Sequence, residues 1–227
     1  MTYPDIGFSM RRVKSELERI KFLTLGGHIA CLGTRQLDNN QLKGLPSDIF
    51  SKNTLLRRLL LDNNQLENLP KDIFMNNIEL GRLQLNNNQL KNLPSSIFSR
   101  NTGLGTLTLD NNQLEELPSD IFSGNTELGN LTLDENKLKN LSSGIFRKNL
   151  YLSFLYLSGN PLKELQSDVF SKNSYLQYLY LSEMQLHNLP PGIFDRNTRL
   201  GFLRLNDNDM KELNGSTFKK MAYLKEL

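Results

Sequence analysis

Cysteine, tryptophan and histidine are scarce in this chain of 227 residues, which holds one cysteine, no tryptophan and two histidines. Because Cys31 is the sole cysteine, an intrachain disulfide is excluded, and a metal site built on thiolates is not expected. We interpret Cys31 as a small, buried apolar side chain. His28 and His187 are too few and too far apart in the repeat register to build a general-base site.

Motifs of catalysis and phosphate binding are also missing. The sequence contains no GxSxG, HExxH or GxxxxGK segment, which are the signatures of a nucleophilic serine, a zinc hydrolase and a phosphate-binding loop. Paired acids such as Glu115 and Glu116 fall at repeated loop positions, and we interpret them as a solvated rim. The sequence therefore predicts a protein that is not an enzyme and that has no catalytic residues, metal site or cofactor.

Long apolar runs and a strong charge are absent as well. No segment approaches the roughly 18 apolar residues that a membrane-spanning helix requires, and the N-terminal residues lack the apolar core of a signal peptide. The net charge is +3, of which residues 1–31 carry about +2, so the rest of the chain is close to neutral. Without a basic stripe, neither nucleic acid nor a membrane surface is expected as a partner.

What the sequence does contain is a unit of 24 residues that recurs along most of the chain. Its clearest copy, residues 104–127, reads LGTLTLDNNQLEELPSDIFSGNTE. Leucines follow the opening leucine after three and five positions, as Leu107 and Leu109 do, and this period of two predicts a short strand with one buried face. Arg35 replaces the second leucine in the first unit, where we expect an exposed end to tolerate it. The opening leucines are Leu32, Leu56, Leu80, Leu104, Leu128, Leu152, Leu176, Leu200 and Leu224.

Asparagine and phenylalanine recur at fixed positions of the unit. Asparagine amides in the first column can satisfy backbone groups where the chain leaves the strand, and we expect them to bond to neighbouring coils as a ladder. Met184 takes this place in the seventh unit and is predicted to weaken the stack locally. The phenylalanines predict a buried spine, and the second asparagine column is predicted to shape the return turn. The first asparagine column is Asn40, Asn64, Asn88, Asn112, Asn136, Asn160 and Asn208; the phenylalanines are Phe50, Phe74, Phe98, Phe122, Phe146, Phe170, Phe194 and Phe218; the second column is Asn53, Asn77, Asn101, Asn125, Asn149, Asn173 and Asn197.

Residues 1–31 do not fit the repeat. Met10, Val13, Leu17 and Ile20 are spaced as one apolar stripe on a short helix, and a stripe this narrow needs a surface on which to lie. One interpretation is an amphipathic helix that caps the open end of the array, and the alternative is a flank without defined structure. A single repeat buries too little apolar surface to offset its ordering entropy, so the units are expected to stack.

The pattern LxxLxLxxNxLxxLPxxIF resembles the leucine-rich repeat family, over residues 32–227 in eight full repeats and the start of a ninth. The repeat length and the LPxxIF segment are similar to those of animal Toll-like receptors, small proteoglycans and lamprey variable lymphocyte receptors. The resemblance implies an α/β-type solenoid, a curved horseshoe with a parallel β-sheet on the concave face and irregular or short 3-10 turns on the convex face.

The resemblance also implies a ligand-binding or adhesive module, extracellular or at the cell surface. Extracellular members usually carry cysteine-rich caps, which are lacking here, and the sequence stops at Leu227 in the middle of an expected strand. We therefore expect a fragment of a longer receptor-like or secreted protein. An intracellular scaffold or inhibitor and a structural component of the extracellular matrix are the alternatives.

Two columns of residues between the strand leucines are expected to face outward from the concave sheet. In three consecutive units they supply five aromatic rings and an arginine, where other units hold threonine, asparagine or glutamine, so the scaffold does not require aromatics there. We predict that this aromatic patch binds a protein ligand, with a purely structural stack and a glycan site as less favoured interpretations. Arg58 and Arg82 form a second binding candidate, for which a solvated charged face is the better interpretation. The aromatic patch comprises Phe154, Tyr156, Tyr178, Tyr180, Phe202 and Arg204.

Overall fold

The computed structural model describes residues 33–227, in which eight short strands form one parallel sheet in chain order. Neighbouring strands pair at a constant offset of one repeat, as Arg58 pairs with Arg82 and Phe154 with Tyr178. The predicted strands and register are confirmed. Cys31, His28, the opening Leu32 and the predicted capping helix lie outside the described residues. The strands are β1 (Thr34–Gln36), β2 (Arg58–Leu60), β3 (Arg82–Gln84), β4 (Thr106–Thr108), β5 (Asn130–Thr132), β6 (Phe154–Tyr156), β7 (Tyr178–Tyr180) and β8 (Phe202–Arg204).

Each strand buries its central residue and turns its two flanking residues outward. In β4 this centre is Leu107, which is fully buried, while Thr106 and Thr108 remain half-buried on the outer face. The centre of β1 is Arg35, which stands where the other strands have leucine. Arg35 is buried, and desolvation lowers the pKa of its guanidinium.

The first asparagine column forms the predicted ladder between coils. Asn112 donates through Nδ2 to the carbonyls of Leu85 in the preceding coil and Leu109 in its own coil, both at 3.0 Å. Its Oδ1 accepts the backbone N–H of Leu90, again at 3.0 Å. One buried amide therefore satisfies backbone groups in two coils where the chain turns away from the sheet.

At Met184 the ladder is interrupted and the backbone follows a different route. Leu162 N–H bonds to the carbonyl of Asn160 at 2.8 Å instead of to a side-chain amide. Lys163 and Gln185 adopt φ values of 56° and 61°, at positions where the regular units do not. The missing amide is therefore accompanied by a local irregularity of the backbone, while Met184 itself is fully buried and fills its slot with apolar packing. That the stack is weaker here stays a prediction.

The phenylalanines form a buried spine under the turns of the other face. Consecutive rings such as Phe122 and Phe146 have centroids 6.1 Å apart, whereas stacked rings on the sheet, such as Tyr178 and Phe202, are 4.5 Å apart. The coils are therefore closer at the sheet than at the spine, which places the sheet on the concave side of a curved solenoid. This confirms the predicted horseshoe.

The second asparagine column connects coils as well as shaping the return turn. Asn125 is fully buried, and its Nδ2 donates to the carbonyls of Phe98 at 3.0 Å and Asn101 at 2.8 Å, both in the preceding coil. The convex side is thereby fastened by side-chain amides where it has no strand ladder. Across residues 33–227, the fold contains no helix with the length and apolar character needed to cross a bilayer.

Candidate binding surface

The structure brings all six residues of the aromatic patch together on the outer face of β6, β7 and β8. Strand register places Phe154, Tyr178 and Phe202 in one row, and Tyr156, Tyr180 and Arg204 in a second row beside it. The five rings are half-buried and Arg204 is exposed. Because they are carried by the sheet rather than by loops, their positions are fixed by strand pairing.

Rings in the first row stack face to face at the spacing of the strands. The centroids of Phe154 and Tyr178 are 4.6 Å apart with an interplanar angle of 11°, and those of Tyr178 and Phe202 are 4.5 Å apart at 3°. The row is a continuous aromatic surface, ordered before any ligand arrives.

The second row ends in a cation. Tyr156 and Tyr180 stack at 4.5 Å, and the guanidinium carbon of Arg204 lies 4.7 Å from the Tyr180 ring centroid, a cation–π contact. Arg204 also pairs with Glu226 at 3.2 Å, and both side chains are half exposed. Burial among its neighbours raises the pKa of Tyr156, with smaller contributions from Tyr180 and Asp134, so its phenol is a neutral hydrogen-bonding group.

A column of acids follows the strands, and its significance was not predicted from the sequence. Desolvation raises the pKa of Asp134 to about 7, with smaller increases from Asp110 and Glu135, while a hydrogen bond from the backbone of Ser158 opposes the shift. Asp62 has a raised pKa for the same main reason. Both carboxyls lie at the same position of the repeat, which holds aspartate in the first, second, fourth and fifth coils and Asn86 in the third.

Arg58 and Arg82 lie apart from the aromatic patch. They pair across β2 and β3, and β4 and β5 separate them from the first aromatic ring. Arg58 is exposed and Arg82 is half-buried. The secondary candidate is therefore a separate, basic part of the same sheet face.

A second group of side chains, three tyrosines and an arginine here named the edge row, was not predicted from the sequence. It occupies the position just before the opening leucine and comprises Tyr151, Tyr175, Arg199 and Tyr223. Tyr151 and Tyr175 are 5.7 Å apart, and the guanidinium of Arg199 lies 4.3 Å from the Tyr175 ring centroid. Tyr223 is 65% exposed. Reading this column at the repeat period would have found the row, since the earlier units hold cysteine, leucine, glutamate or glycine there.

A pocket of about 370 Å³ lies between the edge row and the aromatic patch. It is lined by Gln177, Tyr178, Arg199, Gly201, Phe202, Tyr223 and Lys225. Two residues of each aromatic group therefore contribute to a single concavity at the margin of the sheet.

Groups suited to metal binding do not cluster in the described part of the chain. Within residues 33–227 there is no group of three or more histidine, cysteine, aspartate or glutamate side chains that could hold a metal ion. Nδ1 of His187 lies 3.9 Å from Oδ2 of Asp209, and both side chains are well exposed. What the sheet face offers is a surface of stacked rings and cations.

A parallel sheet of one strand per repeat, with leucine, asparagine and phenylalanine columns, defines a leucine-rich repeat solenoid. Residues 34–153 match the family described as the BspA type leucine-rich repeat region, in six copies, and residues 151–210 match a further leucine-rich repeat family. The chain belongs to the leucine-rich repeat family. No curated protein is significantly similar to it in sequence.

Several solved structures share this fold. A leucine-rich repeat protein of Leptospira interrogans is 28% identical with a TM-score of 0.76, and the match covers 84% of this chain and 48% of that one. A chain of the glycosylated Toll–Spatzle complex of Drosophila is 28% identical with a TM-score of 0.80, covering 84% and 26% of the two chains. The structure of TLR13 in complex with ssRNA13 is 27% identical with a TM-score of 0.75, covering 84% and 28%. The chain thus spans half or less of the length of each of these proteins.

Proposed function

We propose that this chain is a non-enzymatic recognition module that binds a protein ligand through the aromatic patch on its concave sheet. The observation that carries the proposal is the pre-stacked arrangement of five rings and Arg204 on three adjacent strands. Leucine-rich repeat solenoids are typically protein-binding folds, and this is the part of the sheet in which the chain departs most from its own repeat.

The scaffold itself gives no reason for aromatic residues on these strands. In β4 the same two columns hold Thr106 and Thr108, with the same register and an equally buried central leucine. The phenylalanine spine and both asparagine columns also continue unchanged through β4 and β5. The rings of β6, β7 and β8 are therefore additions to a sheet that forms without them.

Stacking makes the patch suited to binding. Aromatic rings and arginine are the side chains that contribute most to protein interfaces, because they bury a large area with few rotatable bonds. Here the rings are held by one another at 4.5–4.6 Å. Little side-chain freedom then remains to be lost on association, which lowers the entropic cost of binding.

A protein ligand is favoured over nucleic acid because the array is close to electrically neutral. The Toll–Spatzle complex contains a protein ligand, whereas TLR13 was solved with ssRNA13. We place the chain in a longer receptor-like or secreted protein, extracellular or at the cell surface, engaged in signalling or adhesion. The matches to long receptor chains support this, and the alternatives are an intracellular scaffold or inhibitor and a matrix component.

The test replaces the central rings with residues that the scaffold already accepts. Tyr178→Thr with Tyr180→Thr gives β7 the Thr-Leu-Thr sequence of β4. The matched control, Arg82→Thr with Gln84→Thr, gives β3 the same sequence at a distance from the patch. Peptides are first selected on the unmodified chain from a phage-displayed library of random linear peptides, and their affinities for each variant are then measured.

The tyrosine variant is expected to lose roughly 30-fold or more in affinity, because one hot-spot residue is typically worth about 2 kcal/mol. The control is expected to bind unchanged, and both variants should retain the circular dichroism spectrum. Loss of binding in the control alone would show that the peptide binds at Arg82 and its neighbours instead of at the aromatic patch. Retained binding in both variants would contradict binding through this face of the sheet.

A further inference from the structure

The pocket beside the aromatic patch is a notch created by Gly201. The corresponding positions in the neighbouring coils are Gln177 and Lys225, whose side chains stand on either side of the glycine. A Cβ added at Gly201 would meet the carbonyl oxygens of Tyr223 at 3.6 Å and Gln177 at 3.9 Å, which are ordinary contacts. The glycine therefore leaves room for a ligand rather than relieving a strained backbone.

The walls of this notch come from the two aromatic groups. Tyr178 and Phe202 of the aromatic patch, stacked at 4.5 Å, form the side towards the sheet. Arg199 and Tyr223 of the edge row form the opposite side. A chain segment lying across the patch would therefore pass directly over the opening.

The notch contains two cations and no acid. Arg199 and Lys225 belong to its lining, which includes no aspartate or glutamate. Among the ion pairs within residues 33–227, none involves either of these two side chains, whereas Arg204 nearby is paired with Glu226. Arg199 stacks its guanidinium on Tyr175 at 4.3 Å, an arrangement in which the N–H groups stay in the guanidinium plane and remain able to donate.

We propose that the notch is a carboxylate subsite, which receives an aspartate or glutamate side chain from an extended segment of the protein ligand. The inference rests on the proposed function, since the rest of the segment would lie on the aromatic patch. Ring faces of Tyr178 and Phe202 would contact the methylene stem of the acid, and Arg199 and Lys225 would bind its carboxylate. An acidic side chain is the occupant that complements this lining in charge, because the lining has two cations and no carboxylate.

The test fills the notch without touching the rings. Gly201→Gln introduces the side chain that Gln177 already presents in the preceding coil. The matched control is Gly105→Gln at the same position of another coil, where an added Cβ would meet carbonyl oxygens at 3.7 and 3.8 Å. A third variant, Arg199→Gln with Lys225→Gln, removes both cations.

The probe is the set of peptides selected on the unmodified chain from the phage-displayed library. We expect these peptides to be enriched in acids, and their Glu→Gln or Asp→Asn versions to bind about tenfold or more weakly, as the loss of a charge-assisted hydrogen bond requires. Gly201→Gln should weaken the acidic peptides to a similar extent, and Gly105→Gln should not. In the Arg199→Gln, Lys225→Gln variant, acidic and neutral versions should bind equally.

Failure of the subsite and failure of the proposed function give different results. Peptides that require Tyr178 and Tyr180 but bind equally with and without their acid overturn the subsite and retain the aromatic patch. Peptides that are indifferent to Tyr178→Thr with Tyr180→Thr overturn both. Selection without acid enrichment, or binding of a single-stranded oligonucleotide that Gly201→Gln abolishes while acidic peptides fail to bind, also contradicts the subsite.

Discussion

Asp134 accepts a hydrogen bond of 2.7 Å from the backbone N–H of Ser158, the residue at the same place in the next coil. This bond joins the last polar coil to the first aromatic one, since Thr132 ends β5 and Tyr156 ends β6. Desolvation nevertheless raises the pKa of Asp134 from its ordinary 3.8 to about 7. The junction therefore carries a carboxyl group that titrates near neutral pH.

This titration predicts a pH-dependent stability. Because the folded protein holds the proton more tightly than the unfolded chain, stability falls as pH rises from about 4 to 7 and levels off above that range. Asp134→Asn removes the effect and can still accept the bond from Ser158. We expect the variant to be more stable at about pH 8, by an order of 1–2 kcal/mol once solvent access to this half-buried group is allowed for.

Thermal unfolding followed by circular dichroism measures the difference, which should amount to a few degrees at about pH 8 and vanish near pH 4. Asp120→Asn, at an exposed position on a turn, is the control and should show no pH-dependent gain. A variant of Asp134 that is equally destabilised at both pH values would show that the hydrogen bond outweighs the desolvation.

The asparagine ladder predicts that methionine is harmful where the backbone has not adapted to it. Asn112→Met introduces the side chain found naturally at Met184, but it leaves the N–H of Leu90 without its partner. It also removes one of the two amide donors to the carbonyl of Leu85, which keeps the bond from Asn88. One unsatisfied buried donor should lower the free energy of unfolding by about 1–3 kcal/mol. Urea denaturation measures the change, with Gln113→Met on the same loop as the control. A cost below about 1 kcal/mol would mean that a regular coil can reroute as readily as the coil of Met184 does.

The phenylalanine spine predicts that the stability lost when a ring is removed depends on where that ring lies in the array. Phe122 is fully buried between coils, whereas Phe218 is half-buried. Phe122→Ala should cost about 3–5 kcal/mol, since it opens a cavity at the middle of the stack. Phe218→Ala should cost clearly less in the same denaturation experiment, because its ring is already partly in solvent. Equal costs would argue against a spine that is continuous through the array.

The repeat allowed much of this structure to be predicted. Leucines three and five positions after each opening leucine indicated the strands. Because every unit packs between copies of itself, the strand position and register of one coil predicted those of the others. The aromatic patch followed from the same register. Arg82 and Tyr178 could be assigned to one face because strand alternation leaves no other choice.

The remainder depends on contacts between coils that spacing does not encode. The pKa of Asp134 is set mainly by its burial, and the rerouting at Lys163 is a backbone response to a missing amide in the following coil. Tyr223 and the edge row were overlooked because only residues between the leucines were treated as surface. The burial of Arg35 could not be read from its charge, since it depends on the surroundings of a leucine position.

Hydroxyl-radical footprinting of the chain, with and without a saturating library-selected peptide, tests the central claim most directly because it requires no substitution. Ligand should reduce the modification of Tyr156, Tyr178, Tyr180 and Phe202 several-fold. Exposed side chains away from the patch, Leu55, Met75 and Ile78, should react as before. Protection of these three with unchanged reactivity of the aromatic patch would contradict the account.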